Sequence, residues 1–178
     1  MALKEKALKR LTEKLNAAGI PFAIGGSWML CQRGLLDTYH DFDVFVSMED
    51  AERADRVLTR LGMRHAEETK VGFIAQYHFD GADVELLAGL PVGTEAVYSF
   101  SPEAVDGTGD AFGVPVPLLC LEDMYVIYAV GGRAERLQLI ERVFAEGGLR
   151  HPGRFTACID GPAPAAVLEA IERARNVG

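Results

Sequence analysis

The sequence has few cysteines, and none of them lies in a paired motif. Cys31, Cys120 and Cys158 are far apart and odd in number, and no C-x-x-C pair occurs. A zinc knuckle or a disulfide framework needs closely spaced or evenly numbered cysteines, so neither is indicated. The contexts WMLCQRG and PLLCLED are apolar, and we predict that these cysteines are reduced core residues.

The chain also lacks a run of lysine or arginine and a long apolar segment. Its formal net charge is -8. Nucleic-acid backbones and anionic membranes would repel a protein with this balance, so both are disfavoured as partners. No apolar run approaches the length of a membrane span, and the amphipathic start MALKEKALKRL does not resemble a signal peptide. We therefore expect a cytoplasmic protein, and the sequence leaves its oligomeric state open.

What the chain does contain is enough apolar sequence for one core, at 49% of 178 residues. Periodicity predicts helix 3–18, strand 21–24, a helix capped by Ser27, strand 41–46, a helix across EDAERADRVLTRL, a hairpin of strands 71–79 and 82–88, and three helices after residue 118. This order predicts an α+β fold with a small mixed β-sheet, helices on one face of the sheet and a helical C-terminal part. We assign residues 1–118 to the α+β core and residues 119–178 to a helical segment packed on it.

The stretch HDFDVFV combines strand periodicity with two acids. Alternate residues of a strand point to opposite faces, so Asp41 and Asp43 share one face while Phe42, Val44 and Val46 share the other. A rigid strand thus presents two carboxylates side by side. A solvated strand face is the ordinary explanation for such a pattern, and the flanking motifs argue for something more specific.

A glycine-rich turn precedes the acids. Gly25-Gly26-Ser27 connects a predicted strand to the start of a predicted helix. Glycine lets the backbone approach a ligand closely, and free N–H groups at a helix start favour an anion such as phosphate. The turn alone is weak evidence, because most such turns are simple connectors.

A further acidic strand follows in GADVELL, where Asp83 and Glu85 share a face. Several carboxylates within one small sheet would raise one another's pKa unless a cation lay between them. Carboxylate oxygens suit Mg²⁺, which also binds phosphate oxygens and water. An anion-binding turn beside a carboxylate-bound Mg²⁺ indicates a nucleoside triphosphate as substrate.

The segment GGSWMLCQRGLLDTYHDFDVFV resembles the nucleotidyltransferase superfamily, which includes DNA polymerase β and small bacterial antibiotic-modifying enzymes. Gly26-Ser27 matches the glycine pair of that family, and Asp41-Phe42-Asp43-Val44 matches its paired acids. For the third acid, Glu85 in VELL fits the family pattern better than Asp83 does. The resemblance covers about residues 20–145.

The resemblance implies Mg²⁺-dependent transfer of a nucleoside monophosphate from a nucleoside triphosphate to a hydroxyl group, with release of pyrophosphate. Asp41, Asp43 and Glu85 would be the catalytic and metal-binding residues of a two-ion site. Glu85, near the second ion, would help to deprotonate the attacking hydroxyl. The acceptor would be a small molecule or a protein.

The resemblance also implies residues that bind the triphosphate. Gly25, Gly26 and Ser27 would form the phosphate-binding turn, with the Gly26 N–H and Ser27 in contact with the β- and γ-phosphates. Related helical tails carry a lysine for the same purpose. Here that contact falls to Arg133 or Arg136.

Two alternatives remain open. No lysine follows Lys70, which favours a catalytically inactive nucleotidyltransferase-fold protein that acts as a binding or regulatory module, of the toxin–antitoxin type. The other is an unrelated α+β domain whose acids bind structural Ca²⁺ or nothing, although no EF-hand loop occurs.

Several side chains near these motifs have ordinary explanations. We expect Trp28, Tyr125 and Tyr128 to pack in the core, because each lies in an apolar stretch with helical spacing. His40 is expected in a surface loop, and His78 is expected to have a structural role.

Overall fold

The computed structural model describes residues 2–67 and 72–178. The helices in these ranges are α1 (Ala2–Ala17), α2 (Gly26–Gln32), α3 (Ala51–Thr59), α4 (Leu121–Val130), α5 (Ala134–Gly147), α6 (Arg154–Ala157) and α7 (Ala165–Val177), with a 3-10 helix at Pro102–Ala104. The strands are β1 (Ala23–Ile24), β2 (Phe42–Phe45), β3 (Met63–Glu67), β4 (Phe73–Phe79), β5 (Ala82–Ala88), β6 (Leu90–Pro91), β7 (Val97–Tyr98), β8 (Val105–Ala111), β9 (Val114–Leu119) and β10 (Ile159–Asp160).

The main sheet is mixed. Across the described residues its strands follow the order β3-β4-β5-β2-β1-β9-β8, and a smaller sheet has the order β10-β7-β6. The pairs β2–β5 and β1–β9 are parallel, whereas the other pairs in the main sheet are antiparallel. This arrangement confirms the predicted α+β fold with a mixed sheet followed by a helical C-terminal part.

One face of the central strands is closed by the core. Phe42 and Val44 of β2 lie beside Val84 and Leu86 of β5, and all four are buried. α1 and α3 pack against β5 and against each other. The predicted alternation in HDFDVFV is therefore present, with its apolar side chains inside the protein.

Strands β3, β8 and β9 were not predicted from the sequence. β9 contains Pro115 and Pro117, and a proline cannot donate to a neighbouring strand. Both prolines pair on the β8 side, whereas β9 meets β1 later, at Leu118 opposite Ile24. The prolines therefore do not interrupt the pairing with β1, although they hide the strand from periodicity arguments.

The C-terminal segment contributes both packed helices and a strand of the smaller sheet. α4 packs against α5, α6 and α7, while β10 pairs with β7. The predicted boundary at residue 118 falls inside β9, and this division of the chain stays a prediction.

Cys120 and Cys158 are buried free thiols, and Cys31 is a half-buried one. In the part of the chain that the structure describes, no helix combines the length and the apolar character needed to cross a bilayer.

Candidate functional site

The three predicted acids meet at the junction of β2 and β5. The parallel register of these strands places Asp43 directly opposite Glu85, so both side chains leave the same face of the sheet. Asp41 lies just before β2, is exposed, and lines a cleft of about 420 Å³ together with Glu85. The structure thus brings Asp41, Asp43 and Glu85 to one region of the surface.

Asp43 has an unusual electrostatic environment. Burial, followed by the negative charges of Asp41 and Glu85, raises the pKa of Asp43 to about 7. Each of these causes disfavours the ionised carboxylate. A cation bound beside Asp43 would offset the negative charges, and carboxylate oxygens are the donors that a divalent ion such as Mg²⁺ prefers.

The glycine turn is built around Asp43. Gly25 N–H donates to the Asp43 carbonyl oxygen over 2.9 Å. Gly26 has a φ of 62°, and a Cβ at this position would overlap the Asp43 carboxylate. Position 26 therefore requires glycine for two reasons, its backbone conformation and the closeness of the acid.

The predicted cap of α2 is wrong. Gly25 is the N-cap residue, with no side-chain cap hydrogen bond, and α2 begins at Gly26. Ser27 lies inside the first turn and is half-buried. Its hydroxyl group therefore belongs to the helix start that faces the acids, not to a capping interaction.

A residue of α4 contacts the glycine turn. Gly26 N–H donates to Met124 Sδ over 3.2 Å, and a Cβ at Gly25 would meet the same sulfur at 3.2 Å. Met124 is buried. The Gly26 N–H, predicted to contact phosphate, thus donates to a buried side chain of the core in this structure.

Tyr128 packs against the core as expected, and it also lies near the predicted acids. It is half-buried, and burial together with the charge of Asp43 raises the pKa of Tyr128 to about 12, while Arg136 and Arg133 act to lower it. Asp41 adds to the upward shift. Tyr128 therefore lies within electrostatic reach of both acids and both predicted phosphate ligands. Tyr128 follows Met124 by four residues in α4, so the two side chains lie on the same face of that helix. This spacing is the signal that could have placed Tyr128 near the glycine turn.

The register also separates the two candidates for the third acid. Asp83 lies opposite His78, and His78 Nδ1 is 2.7 Å from Asp83 Oδ1. Glu85 lies opposite Gln76, whose Nε2 donates to Glu85 Oε1 over 3.4 Å. Both pairs line the same cleft. Only Glu85 of these two acids is aligned with Asp43.

The remaining aromatic and histidine side chains behave largely as expected. Trp28 and Tyr125 are buried, and His40 is exposed in a loop. Among residues 2–67 and 72–178, no group of three or more His, Cys, Asp or Glu side chains is arranged to hold a metal ion.

Comparison with known proteins identifies the fold. Neither a protein-family model nor a curated protein matches the sequence. The solved structure of ANT(2")-Ia in complex with adenylyl-2"-tobramycin has 16% identity, covers 97% of this chain and 97% of that chain, and gives a TM-score of 0.61. A Thermotoga maritima protein described as a candidate nucleotidyltransferase has 20% identity, with 79% and 92% of the two chains covered and a TM-score of 0.58. An antigenic nucleotidyltransferase-like protein from Paracoccidioides brasiliensis has 12% identity, with 95% and 86% covered and a TM-score of 0.50. The chain therefore has a nucleotidyltransferase-like fold.

Proposed function

We propose that this protein transfers a nucleoside monophosphate from a nucleoside triphosphate to a hydroxyl group, in a reaction that depends on Mg²⁺. The observation that carries the proposal is the Asp43 carboxylate, which lies against Gly26 and opposite Glu85, while Asp41 and Glu85 line one cleft. Three acids brought together in this way on a nucleotidyltransferase-like fold suit phosphoryl chemistry.

Asp41 and Asp43 would hold the metal, and Glu85 would lie beside a second ion. Because no three-ligand metal group exists among the described residues, phosphate oxygens and water would complete the coordination, as is common for Mg²⁺. When bound, the ions would neutralise charge on the attacking and leaving oxygens.

Glu85 would act as the general base in the transfer step. The acceptor oxygen forms a bond to the α-phosphorus, and the bond between that phosphorus and the oxygen leading to the β-phosphate breaks. The hydroxyl proton passes to Glu85, and pyrophosphate leaves with the electron pair of the broken bond. An anionic base adjacent to the attacking group is what this proton transfer needs.

Ser27, Arg133, Arg136 and Tyr128 would bind the triphosphate. Ser27 is at the start of α2, where the helix dipole favours anions, and the two arginines lie at the start of α5. Arginine binds phosphate oxygens with two parallel hydrogen bonds. In this proposal the Gly26 N–H keeps its hydrogen bond to Met124 Sδ. Ser27, and not the Gly26 N–H, would therefore contact the phosphates.

The acceptor is expected to be a small molecule or a protein with a hydroxyl group. Tobramycin is a suitable first small-molecule probe, because its adenylylated form is bound in the ANT(2")-Ia structure that this fold matches. Auto-modification of the purified chain is the matching test for a protein hydroxyl.

Thermal unfolding with Mg²⁺ and ATP, GTP, CTP or UTP tests nucleotide binding without an identified acceptor. We expect a higher melting temperature for the wild-type protein, a smaller shift for Asp43→Asn, and the wild-type shift for Asp83→Asn as control. Pyrophosphate release with tobramycin then tests transfer.

A catalytically inactive module is the second candidate, and it is favoured by the absence of lysine after Lys70. In that case none of the four nucleotides would change the melting temperature, whether Mg²⁺ is present or removed by a chelator. Stabilisation by Ca²⁺ without any nucleotide effect would instead support a structural ion site.

A further inference from the structure

Two cross-strand pairs of polar side chains line the cleft beside the acids. β4 and β5 are antiparallel, with Gln76 opposite Glu85 and His78 opposite Asp83. Residues two apart on a strand point to the same face, so all four side chains leave the same face of the sheet. Together with Asp41 they line the cleft of about 420 Å³. One of the two pairs therefore contains the acid that would act as the general base.

Gln76 is the partner of that acid. Its Nε2 donates to Glu85 Oε1 over 3.4 Å, which is longer than the usual N–H···O separation of about 2.7–3.2 Å and indicates a weak bond. β4 lies between β3 and β5 in the main sheet. The main chain of Gln76 is therefore held on both sides, and its amide group approaches Glu85 from a fixed strand.

The donor is neutral, and this suits a general base. Arg154, the partner of the buried Asp123, donates to it with a charged guanidinium. Such charge-assisted bonds are roughly twice as strong as neutral ones, and they oppose protonation of the carboxylate. An amide donor can orient Glu85 while leaving it the negative charge that is needed to accept a proton from a hydroxyl group.

Orientation matters because a glutamate side chain is flexible and loses rotamer freedom when it is held in place. A general base must come within about 2.6–3.2 Å of the oxygen that carries the proton. A hydrogen bond that exists before the acceptor arrives reduces the number of conformations that Glu85 samples. The contact with Gln76 therefore favours the conformation in which the carboxylate lies in the cleft.

We propose that Gln76 is a positioning residue for nucleotidyl transfer, and that it holds the Glu85 carboxylate in the cleft for deprotonation of the acceptor hydroxyl. The inference rests on the proposed function. Gln76 acts through Glu85 and adds no charge of its own. The net contribution of one hydrogen bond corresponds to about a 2- to 10-fold change in rate, which sets the size of the expected effect.

Two variants of similar size test the hydrogen bond by steady-state pyrophosphate release at saturating Mg²⁺. Gln76→Met lacks the amide donor and should lower kcat by about 3- to 10-fold. Gln76→Glu places a second carboxylate against Glu85 and should lower kcat further than Gln76→Met does. KM for the nucleoside triphosphate should stay within about twofold in both, because the lost interaction concerns the chemical step and not nucleotide binding.

His78→Met is the matched control. It removes the neighbouring cross-strand contact on the same face, in which His78 Nδ1 is 2.7 Å from Asp83 Oδ1. It should change kcat by less than about threefold, as expected for an exposed pair, although the contact that it removes is the shorter one. A general effect of losing a cross-strand pair would appear in both His78→Met and Gln76→Met.

A double-mutant cycle shows whether Gln76 acts through Glu85. When Gln76→Met is added to Glu85→Gln, kcat should change by less than about twofold further, because residues that act through one contact are not additive. A residue that acts on the acceptor directly would keep its full effect in this background.

The Gln76 side-chain amide also gives a readout that needs no turnover. Its proton and nitrogen resonances in NMR spectra are identified by their loss in Gln76→Met. They should move in Glu85→Ala, which removes the acceptor of the hydrogen bond, and stay in place in Asp83→Ala.

Three results would overturn the role of Gln76 while the proposed function stands. They are an unchanged kcat in both Gln76 variants beside a large loss in Glu85→Gln, an equal loss when Gln76→Met is added to Glu85→Gln, and a Gln76 amide resonance that Glu85→Ala does not move. If the wild-type protein with Mg²⁺ releases no pyrophosphate, either with tobramycin or by auto-modification, the proposed function fails and this inference fails with it.

Discussion

Two pairs of acids in this protein differ in whether their surroundings compensate the negative charge of the carboxylates. Asp43 and Glu85 lie opposite each other across β2 and β5, and Glu85 lines a surface cleft. Glu122 and Asp123, adjacent in α4, are almost completely buried, at 1% and 0% exposure. The first pair accumulates negative charge, whereas the second is neutralised by its surroundings.

The partners of the buried pair account for this difference. Asp123 receives two hydrogen bonds from Arg154, over 2.8 Å and 2.6 Å, as well as the one from Tyr98. Glu122 accepts from the backbone N–H groups of residues 150 and 151, over 2.8 Å and 2.7 Å. Asp123 in turn raises the pKa of the Arg154 guanidinium. Acids with such complete sets of donors hold the structure together, whereas Asp43 lies beside acids whose charge opposes its ionisation.

The largest expected effect is on the turnover number, at the pair formed by Asp43 and Glu85. Glu85→Gln should lower turnover by about 10²–10⁴-fold, because a positioned general base contributes about that much, while the chain remains folded. Asp83→Asn is the matched control on the same face of β5, and it should change turnover by less than about threefold because an exposed pair contributes only about 0–1 kcal/mol. Steady-state pyrophosphate release measures both. The reverse ranking would make Asp83 the third acid.

The buried pair should dominate stability. Arg154→Met leaves Asp123 without its counterion and should lower the free energy of unfolding by about 3–5 kcal/mol. Arg173→Met removes an exposed ion pair with Glu141, over 3.1 Å, and should cost less than about 1 kcal/mol. Urea unfolding of both variants checks the contrast. Equal losses would mean that burial does not distinguish the two arginines.

A smaller effect is expected at the glycine turn. Gly26→Ala should destabilise the protein by about 1–3 kcal/mol through its positive φ, plus the overlap with Asp43. Gly34→Ala has a φ of 72° but no neighbour within 4 Å at its Cβ, so it reports backbone strain alone. The difference between the two variants in urea unfolding measures the contact with the acid, and no difference would show that the turn can shift away from Asp43.

The smallest effect concerns the pH dependence of Asp43. Its folded pKa, about 7, is raised above the ordinary 3.8. The ionised carboxylate is therefore less stable in the folded protein, and stability falls as the pH rises from about 4 to 7. Asp43→Asn should be more stable than wild type by about 1–2 kcal/mol at pH 8, after allowance for solvent screening, and equally stable near pH 4. Unfolding at the two pH values measures this, and a variant that gains no stability at pH 8 would contradict the raised pKa.

The acidic strand could be predicted because its signal is local. Phe42 and Val44 alternate with Asp43 within a few residues, and the structure has the same alternation. The alignment of Asp43 with Glu85 depends on which strands pair, so it could be proposed only through the resemblance to nucleotidyltransferases.

Other features depend on contacts that are distant in sequence. Glu122 and Asp123 look like polar residues of an amphipathic helix, because their donors, in β7, in the loop after α5 and in α6, are distant in sequence. The glycines of β8 and the prolines of β9 conceal strands whose pairing is decided by the sheet. Tyr128 packs against the core, and its closeness to Asp43 could not be predicted without the position of that acid.

The contact between Gly26 and Met124 has a consequence for how the protein is made. β1, β2 and β5 leave the ribosome before α4, so a nascent chain can hold its acidic strands before the support for the turn has been synthesised. Domains generally fold as units during translation, and the glycine turn can gain its contact with α4 only after Met124 has emerged. A chain stalled on the ribosome before that point would carry Asp43 and Glu85 but not the α4 residue that contacts the turn.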